Sequence, residues 1–83
     1  MSYLQIMADV RRERDRQESL KREGKFRYTC ADPEMTDGEF LSVLMEEVGE
    51  IAKAFNEGDA GGVEAEIIQV AAVCVARLER IGK

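Results

Sequence analysis

Apolar positions recur with helical spacing only in the first half of the N-terminal segment. Residues 2–23 contain neither glycine nor proline and are rich in helix-forming residues, so they predict a helix that ends at Gly24. Residues 11–23 carry few apolar side chains, and we expect that half of the helix to project toward solvent, a ligand or a partner chain. Residues 25–35 have no sustained period and predict a loop over the surface.

Two further helices follow. Thr36-Asp37-Gly38-Glu39 has the form of a capping box, which predicts that the second helix starts there and ends at Gly58. Asp59 can cap the third helix, predicted over about residues 60–81. The pattern predicts a single all-α domain over residues 1–83, built as a small bundle of three main helices.

The third helix is apolar on nearly every side of its central turns, which read EIIQVAAVCVARLERI. A helix of this kind is normally buried on more than one face. A chain of three helices has little surface with which to cover it, and a domain of 83 residues buries only a modest core. We therefore expect the bundle to be completed by homo-oligomerisation, as a homodimer or a homotetramer.

Charge is distributed unevenly along the chain, whose net charge is −5. Residues 11–27 hold eight Lys/Arg and four Asp/Glu, whereas residues 28–83 hold four and twelve. An acidic body argues against binding a nucleic-acid polymer and favours binding a cation. No segment reaches membrane-spanning length, which predicts no membrane partner and a cytoplasmic location. Cys30 and Cys74 have no CxxC pairing and are interpreted as reduced thiols.

Acidic residues interrupt the apolar face of the second helix. At 100° per residue, Glu47 lies in the middle of the face formed by Phe40, Val43, Leu44, Ile51 and Ala54. Glu50 follows at i+3 on the flank of that face, whereas Glu46 points sideways. The carboxylates of Glu47 and Glu50 can therefore converge on one point.

The third helix repeats this arrangement with Glu66 and Gln69. Val63, Val70 and Val73 surround Glu66 on the helical projection. Buried carboxylates are costly unless something positive compensates them. One interpretation is that they neutralise Arg and Lys of the first helix or stay wet at the edge of a groove. The other is an oxygen-ligand site for Mg²⁺, since the chain has no histidine and offers no sulfur cluster.

Two motifs resemble those of the MazG-like all-α nucleoside triphosphate pyrophosphohydrolases, whose hallmark is EExxE followed by ExxD. They read Glu46-Glu47-Val48-Gly49-Glu50 and Glu66-Ile67-Ile68-Gln69. The wider wording of residues 36–80 is similar to small single-domain, phage-type members. By this resemblance Glu47, Glu50, Glu66 and Gln69 are the magnesium ligands, and residues 1–83 form one MazG-like domain.

The resemblance implies hydrolysis of a nucleoside or deoxynucleoside triphosphate to the monophosphate and pyrophosphate. Magnesium would bridge the phosphates, and Glu47 or Glu50 would orient the attacking water or accept its proton. Gln69 departs from the family because it replaces an aspartate with a neutral amide. Two functions therefore stay open: an enzyme, or a helical module that binds metal and nucleotide with weakened or no turnover.

Basic residues of the first helix are candidates for binding the substrate phosphates. Arg14, Gln17 and Lys21 are the predicted contacts. The alternative for these residues is a solvated face with ion pairs at i,i+4, such as Arg14 with Glu18. Phe26 and Tyr28 are candidates for stacking on a base or for packing under the loop.

Overall fold

The computed structural model describes residues 1–81, and over that range it contains three α-helices and no strand. Helix α1 spans Tyr3–Arg22, α2 spans Asp37–Asn56 and α3 spans Ala60–Ile81. The prediction of an all-α fold with three main helices is confirmed. Among the described residues no helix is both long and apolar enough to cross a membrane.

The predicted helix ends are confirmed by their capping contacts. Gly24 follows α1 with φ +77°, and Gly58 follows α2 with φ +70°, a conformation that residues with a Cβ rarely adopt. The hydroxyl of Thr36 accepts from the Glu39 amide at 3.1 Å, and the Glu39 carboxylate accepts from the Thr36 amide at 3.0 Å. The carboxylate of Asp59 accepts from an amide in the first turn of α3 at 2.9 Å.

Helix α3 is the central element of the bundle. It packs against both α1 and α2, whereas α1 and α2 do not pack on each other within residues 1–81. Ala72 and Ala76 expose no surface, and their small side chains let the neighbouring helices approach α3 closely. The same chain therefore covers much of the central turns of α3, although Ile67 and Leu78 remain exposed.

The segment between α1 and α2 is not the surface loop that the sequence predicts. Part of it lies in the core, in a cluster with α3 that consists of Cys30, Ala31, Met35, Val73 and Ala76. Local hydrogen bonds compensate its buried backbone: the Thr29 amide donates to the Asp32 carboxylate at 2.7 Å, and the Asp32 amide donates to the Thr29 carbonyl at 3.0 Å. An aperiodic segment carries no pattern that reveals such burial. Cys30 and Cys74 form no disulfide, and burial raises the pKa of the Cys30 thiol.

Candidate metal and nucleotide site

Two glutamates from neighbouring helices meet in the interior. Glu47 lies on the face of α2 that packs on α3, and Glu66 lies on α3. One carboxyl oxygen of each, Oε2, is buried and has no hydrogen-bond partner among the described residues. Buried polar atoms without partners are uncommon in folded proteins, because each loses its hydration without compensation. The inward position predicted for Glu47 and Glu66 is confirmed.

The pKa of the Glu47 carboxyl group lies above its ordinary value. Burial raises its pKa, and the neighbouring Glu66 carboxyl group raises it further. Ionised carboxylates only accept hydrogen bonds, so the two groups can bond to each other only when one holds a proton. The repulsion between the two carboxylates can be relieved in two ways, by a shared proton or by a bound cation.

The other residues of the acidic motifs differ in position. Glu46 is exposed, as its sideways placement on α2 predicts, and Glu50 is exposed as well. Both add negative charge that raises the pKa of Glu47. Within residues 1–81 no three Asp, Glu, Cys or His side chains are grouped closely enough to hold one ion together. The structure thus brings Glu47 and Glu66 together and leaves Glu50 exposed outside the pair.

A cleft of about 200 Å³ opens beside Glu47. Glu13, Arg16 and Gln17 line it from α1, Gln69 lines it from α3, and Phe26 and Tyr28 line it from the connecting segment. Glu66 does not line the cleft and acts on it through Glu47. Pockets that enclose a whole drug-sized ligand measure roughly 300–1,000 Å³. This cleft is large enough for a nucleobase or a sugar, and the remainder of a nucleotide would extend over its rim.

Arg16 is the basic residue that lines the cleft, and the sequence alone does not single it out. Its guanidinium donates to both carboxylate oxygens of Glu13 at 2.7 Å. That hydrogen bond raises the pKa of Arg16, burial opposes the shift, and the charges of Glu13 and Glu47 add to it. The signal that was available is the spacing of Glu13, Arg16 and Gln17, which places them on one face of a helix at i, i+3 and i+4.

Arg14 does not line the cleft and belongs to a different cluster. It is only 5% exposed, which corrects the prediction that residues 11–23 project toward solvent, a ligand or a partner chain, because this side chain is buried within the same chain. Its guanidinium donates to Glu79 of α3 at 3.0 Å and to Glu18 at 2.9 Å, so the predicted pair with Glu18 is confirmed. It also donates to the Gln17 side chain at 3.0 Å. The helical spacing of apolar residues does not predict this burial, because Arg14 is covered by a charged partner and not by an apolar one.

Lys21 and the aromatic residues complete the set of predicted contacts. Lys21 lies outside the cleft and forms an ion pair with Asp32. The Tyr28 hydroxyl donates to the Glu39 carboxylate, which fixes its ring at the edge of the cleft. Phe26 remains 41% exposed and is therefore the more accessible ring for stacking. Of the three predicted substrate contacts, the structure places only Gln17 in the cleft.

No family model, curated protein or solved structure matches the chain significantly.

Proposed function

We propose that this chain is a magnesium-dependent nucleoside triphosphate pyrophosphohydrolase that converts an NTP or dNTP to the monophosphate and pyrophosphate. The observation that carries the proposal is the buried pair of Glu47 and Glu66, each with an unpartnered carboxyl oxygen, of which Glu47 lines the cleft. The resemblance of the EExxE and ExxQ motifs to the MazG-like family supplies the reaction.

The donor set fits magnesium. Mg²⁺ is usually bound through one or two carboxylates, with waters and substrate phosphates completing its octahedral shell. Glu47 and Glu66 supply two carboxylates, and the amide oxygen of Gln69 is a neutral third donor at the cleft wall. By the family resemblance Glu50, which is exposed on α2, would be a further ligand. When bound, Mg²⁺ lowers the pKa of a coordinated water and screens the phosphate charge.

The residues of the chain would then handle the proton and the substrate. Glu47 or Glu50 accepts the proton of a water whose oxygen bonds to the α-phosphorus, while the bond from that phosphorus to the pyrophosphate oxygen breaks. Arg16 lines the cleft, and its guanidinium, which is paired with Glu13, would contact the phosphates. Gln17 would contact the substrate directly, with Arg14 holding its side chain, and Phe26 would stack on the base.

Assembly and location form part of the same proposal. The working form is a homo-oligomer, a dimer or a tetramer, because a bundle of this size leaves many large apolar side chains exposed. The ligand is a free nucleotide and not a nucleic-acid polymer or a membrane, in keeping with a net charge of −5. Reduced thiols and an intracellular nucleotide substrate favour the cytoplasm.

A second candidate is a nucleotide-binding and metal-binding module without turnover. Gln69 favours it, because an amide contributes an oxygen but no charge to the site. Such a module would keep the cleft and the acidic pair, yet it would stabilise the transition state too little for hydrolysis.

Pyrophosphate release distinguishes these functions. A panel of NTPs and dNTPs is incubated with and without Mg²⁺, using the wild type and Glu47→Ala. Glu46→Ala is the matched control, because it removes the same group from the exposed neighbouring position. We expect Mg²⁺-dependent release that Glu47→Ala lowers by at least about 100-fold and Glu46→Ala changes little.

The other outcomes assign the site differently. Isothermal titration calorimetry measures the binding of Mg²⁺ and of nucleotide. Binding without release of pyrophosphate would identify the non-hydrolysing module. Equal losses in Glu46→Ala and Glu47→Ala would show that the inward position of Glu47 is irrelevant. If neither Mg²⁺ nor any nucleotide binds, both functions are wrong and the pair is a structural feature.

A further inference from the structure

Helix α2 carries a second apolar face, directed away from α3. Its members are exposed and follow one another at intervals of four and three residues: Leu41, Met45, Val48, Ala52 and Phe55. The four large side chains of this outer stripe are between 41% and 72% exposed. Alternation of four and three is the spacing of a seam between paired helices, and the stripe runs for about 21 Å along α2.

We infer that the outer stripe of α2 is a homodimer interface, in which two copies of the chain pair their α2 helices antiparallel across a two-fold axis. The oligomer proposed above has no assigned surface, and its sequence argument pointed to α3. The structure covers much of α3 within one chain and leaves the continuous apolar seam on α2. This inference rests on the homo-oligomer proposed above, and it does not depend on nucleotide hydrolysis.

The chain exposes more surface than a folded monomer of its mass, as expected if a second copy covers part of it. The chain exposes 5666 Å². A folded monomer of 9.3 kDa is expected to expose about 5,000 Å². The excess, about 700 Å², is close to the roughly 800 Å² that each partner buries in an interface of standard size.

Gly49 gives an independent reason for a close neighbour along the flank of the stripe. It lies in the interior of α2, where glycine destabilises a helix by roughly 0.5–1 kcal/mol relative to alanine. A Cβ added to Gly49 would meet no atom of this chain within 4 Å, so no contact inside the protomer requires a glycine. On the helical projection Gly49 flanks Met45 and Ala52, where a partner helix would approach most closely.

Helix dipoles favour a second copy in antiparallel orientation as the occupant. Antiparallel pairing sets the dipole of α2 against that of its copy, whereas parallel pairing aligns the two dipoles. The flanking positions Ser42 and Gly49 carry no charge that would oppose self-association.

Analytical ultracentrifugation over a range of protein concentrations tests the interface, with circular dichroism to verify that each variant is folded. We expect a wild-type dimer, and we expect Met45→Glu to raise its dissociation constant by at least about 30-fold. Leu4→Glu is the matched control, because Leu4 is an apolar side chain on α1 that is 78% exposed. It should leave the dimer intact.

A monomeric wild type, or a dimer lost in Leu4→Glu and kept in Met45→Glu, would overturn the inference. Orientation is tested by mixing Leu41→Cys with Phe55→Cys and adding diamide, which is reduced as it oxidises two thiols to a disulfide. Antiparallel pairing predicts a cross-link between the two variants in the mixture that neither forms alone. Cross-linking of each variant with itself would instead establish the parallel arrangement and overturn the antiparallel one.

Discussion

Two clusters of buried polar groups, one around Arg14 and one around Glu47, are built in contrasting ways. Around Arg14, the guanidinium donates to the carboxylates of Glu18 and Glu79, so opposite charges meet. Around Glu47, a second carboxylate comes from Glu66, and each has a buried oxygen without a partner in the described part of the chain. The first cluster joins α1 to α3 and needs nothing further, whereas the second is completed only by a proton or a cation.

The largest expected effect comes from breaking the paired cluster. Arg14→Met should lower the free energy of unfolding by about 2–3 kcal/mol, because Glu18 and Glu79 lose the partner that links α1 to α3. Urea unfolding followed by circular dichroism measures the change. Arg11→Met is the control, since its pair with Asp15 is exposed and should contribute under about 0.5 kcal/mol. A fully stable Arg14→Met protein that had lost nucleotide binding would instead support direct substrate contact by Arg14.

Neutralising Glu47 in the acidic pair with Glu66 should change the free energy of unfolding by a smaller amount and in the opposite direction. Without Mg²⁺, Glu47→Gln should stabilise the protein by up to about 1 kcal/mol at neutral pH, since the amide can donate to Glu66 and the like-charge repulsion disappears. The folded chain raises the pKa of Glu47, so the folded state binds the proton more tightly than the unfolded state. The contribution of Glu47 to wild-type stability should therefore fall as pH rises from about 4.3 through the raised pKa.

Urea titrations of both proteins across that pH range check the sign, with Glu46→Gln as the exposed control. The advantage of Glu47→Gln should vanish at low pH, where Glu47 is protonated in the wild type. Adding Mg²⁺ should stabilise the wild type and not Glu47→Gln, because binding to the folded state alone raises its stability. A wild type that is more stable than Glu47→Gln at neutral pH without Mg²⁺ would contradict the account of the acidic pair.

The smallest effect should come from adding a charge to the unpaired cluster. Gln69→Asp restores the family pattern at the cleft wall, and we expect severalfold tighter Mg²⁺ binding by calorimetry. Stability without Mg²⁺ should fall by under about 1 kcal/mol, because a further carboxylate adds to the repulsion. Unchanged Mg²⁺ affinity would count against Gln69 as a ligand.

Local chemistry explains which features the sequence could predict. The helix ends at Gly24, Thr36 and Gly58 depend on neighbouring residues only, and all were predictable. The inward direction of Glu47 follows from the period of a single helix packed on one neighbour. The resemblance to a family, the metal and the reaction remain predictions.

Tertiary contacts decided the features that could not be predicted. Burial of Cys30 and Met35 depends on where an aperiodic segment docks, and burial of Arg14 depends on Glu79, which lies 65 residues further along the chain. The cleft position of Arg16 likewise needs the packing of α1 on α3. The helical spacing of the outer stripe of α2 is visible in the sequence. Only the structure shows that α3 packs on a different face of α2 and leaves the stripe exposed.

The docked segment between α1 and α2 also constrains when the chain can fold during synthesis. Its core residues Cys30 and Met35 pack against Val73 and Ala76, which the ribosome adds about forty residues later. Buried Arg77 donates to the Met35 carbonyl at 3.3 Å and so closes the same corner. Until the last turns of α3 have emerged, the nascent chain has no surface on which this segment can be buried. We therefore expect ribosome-bound intermediates that end before Val73 to be protease-sensitive, with protection gained in one late step.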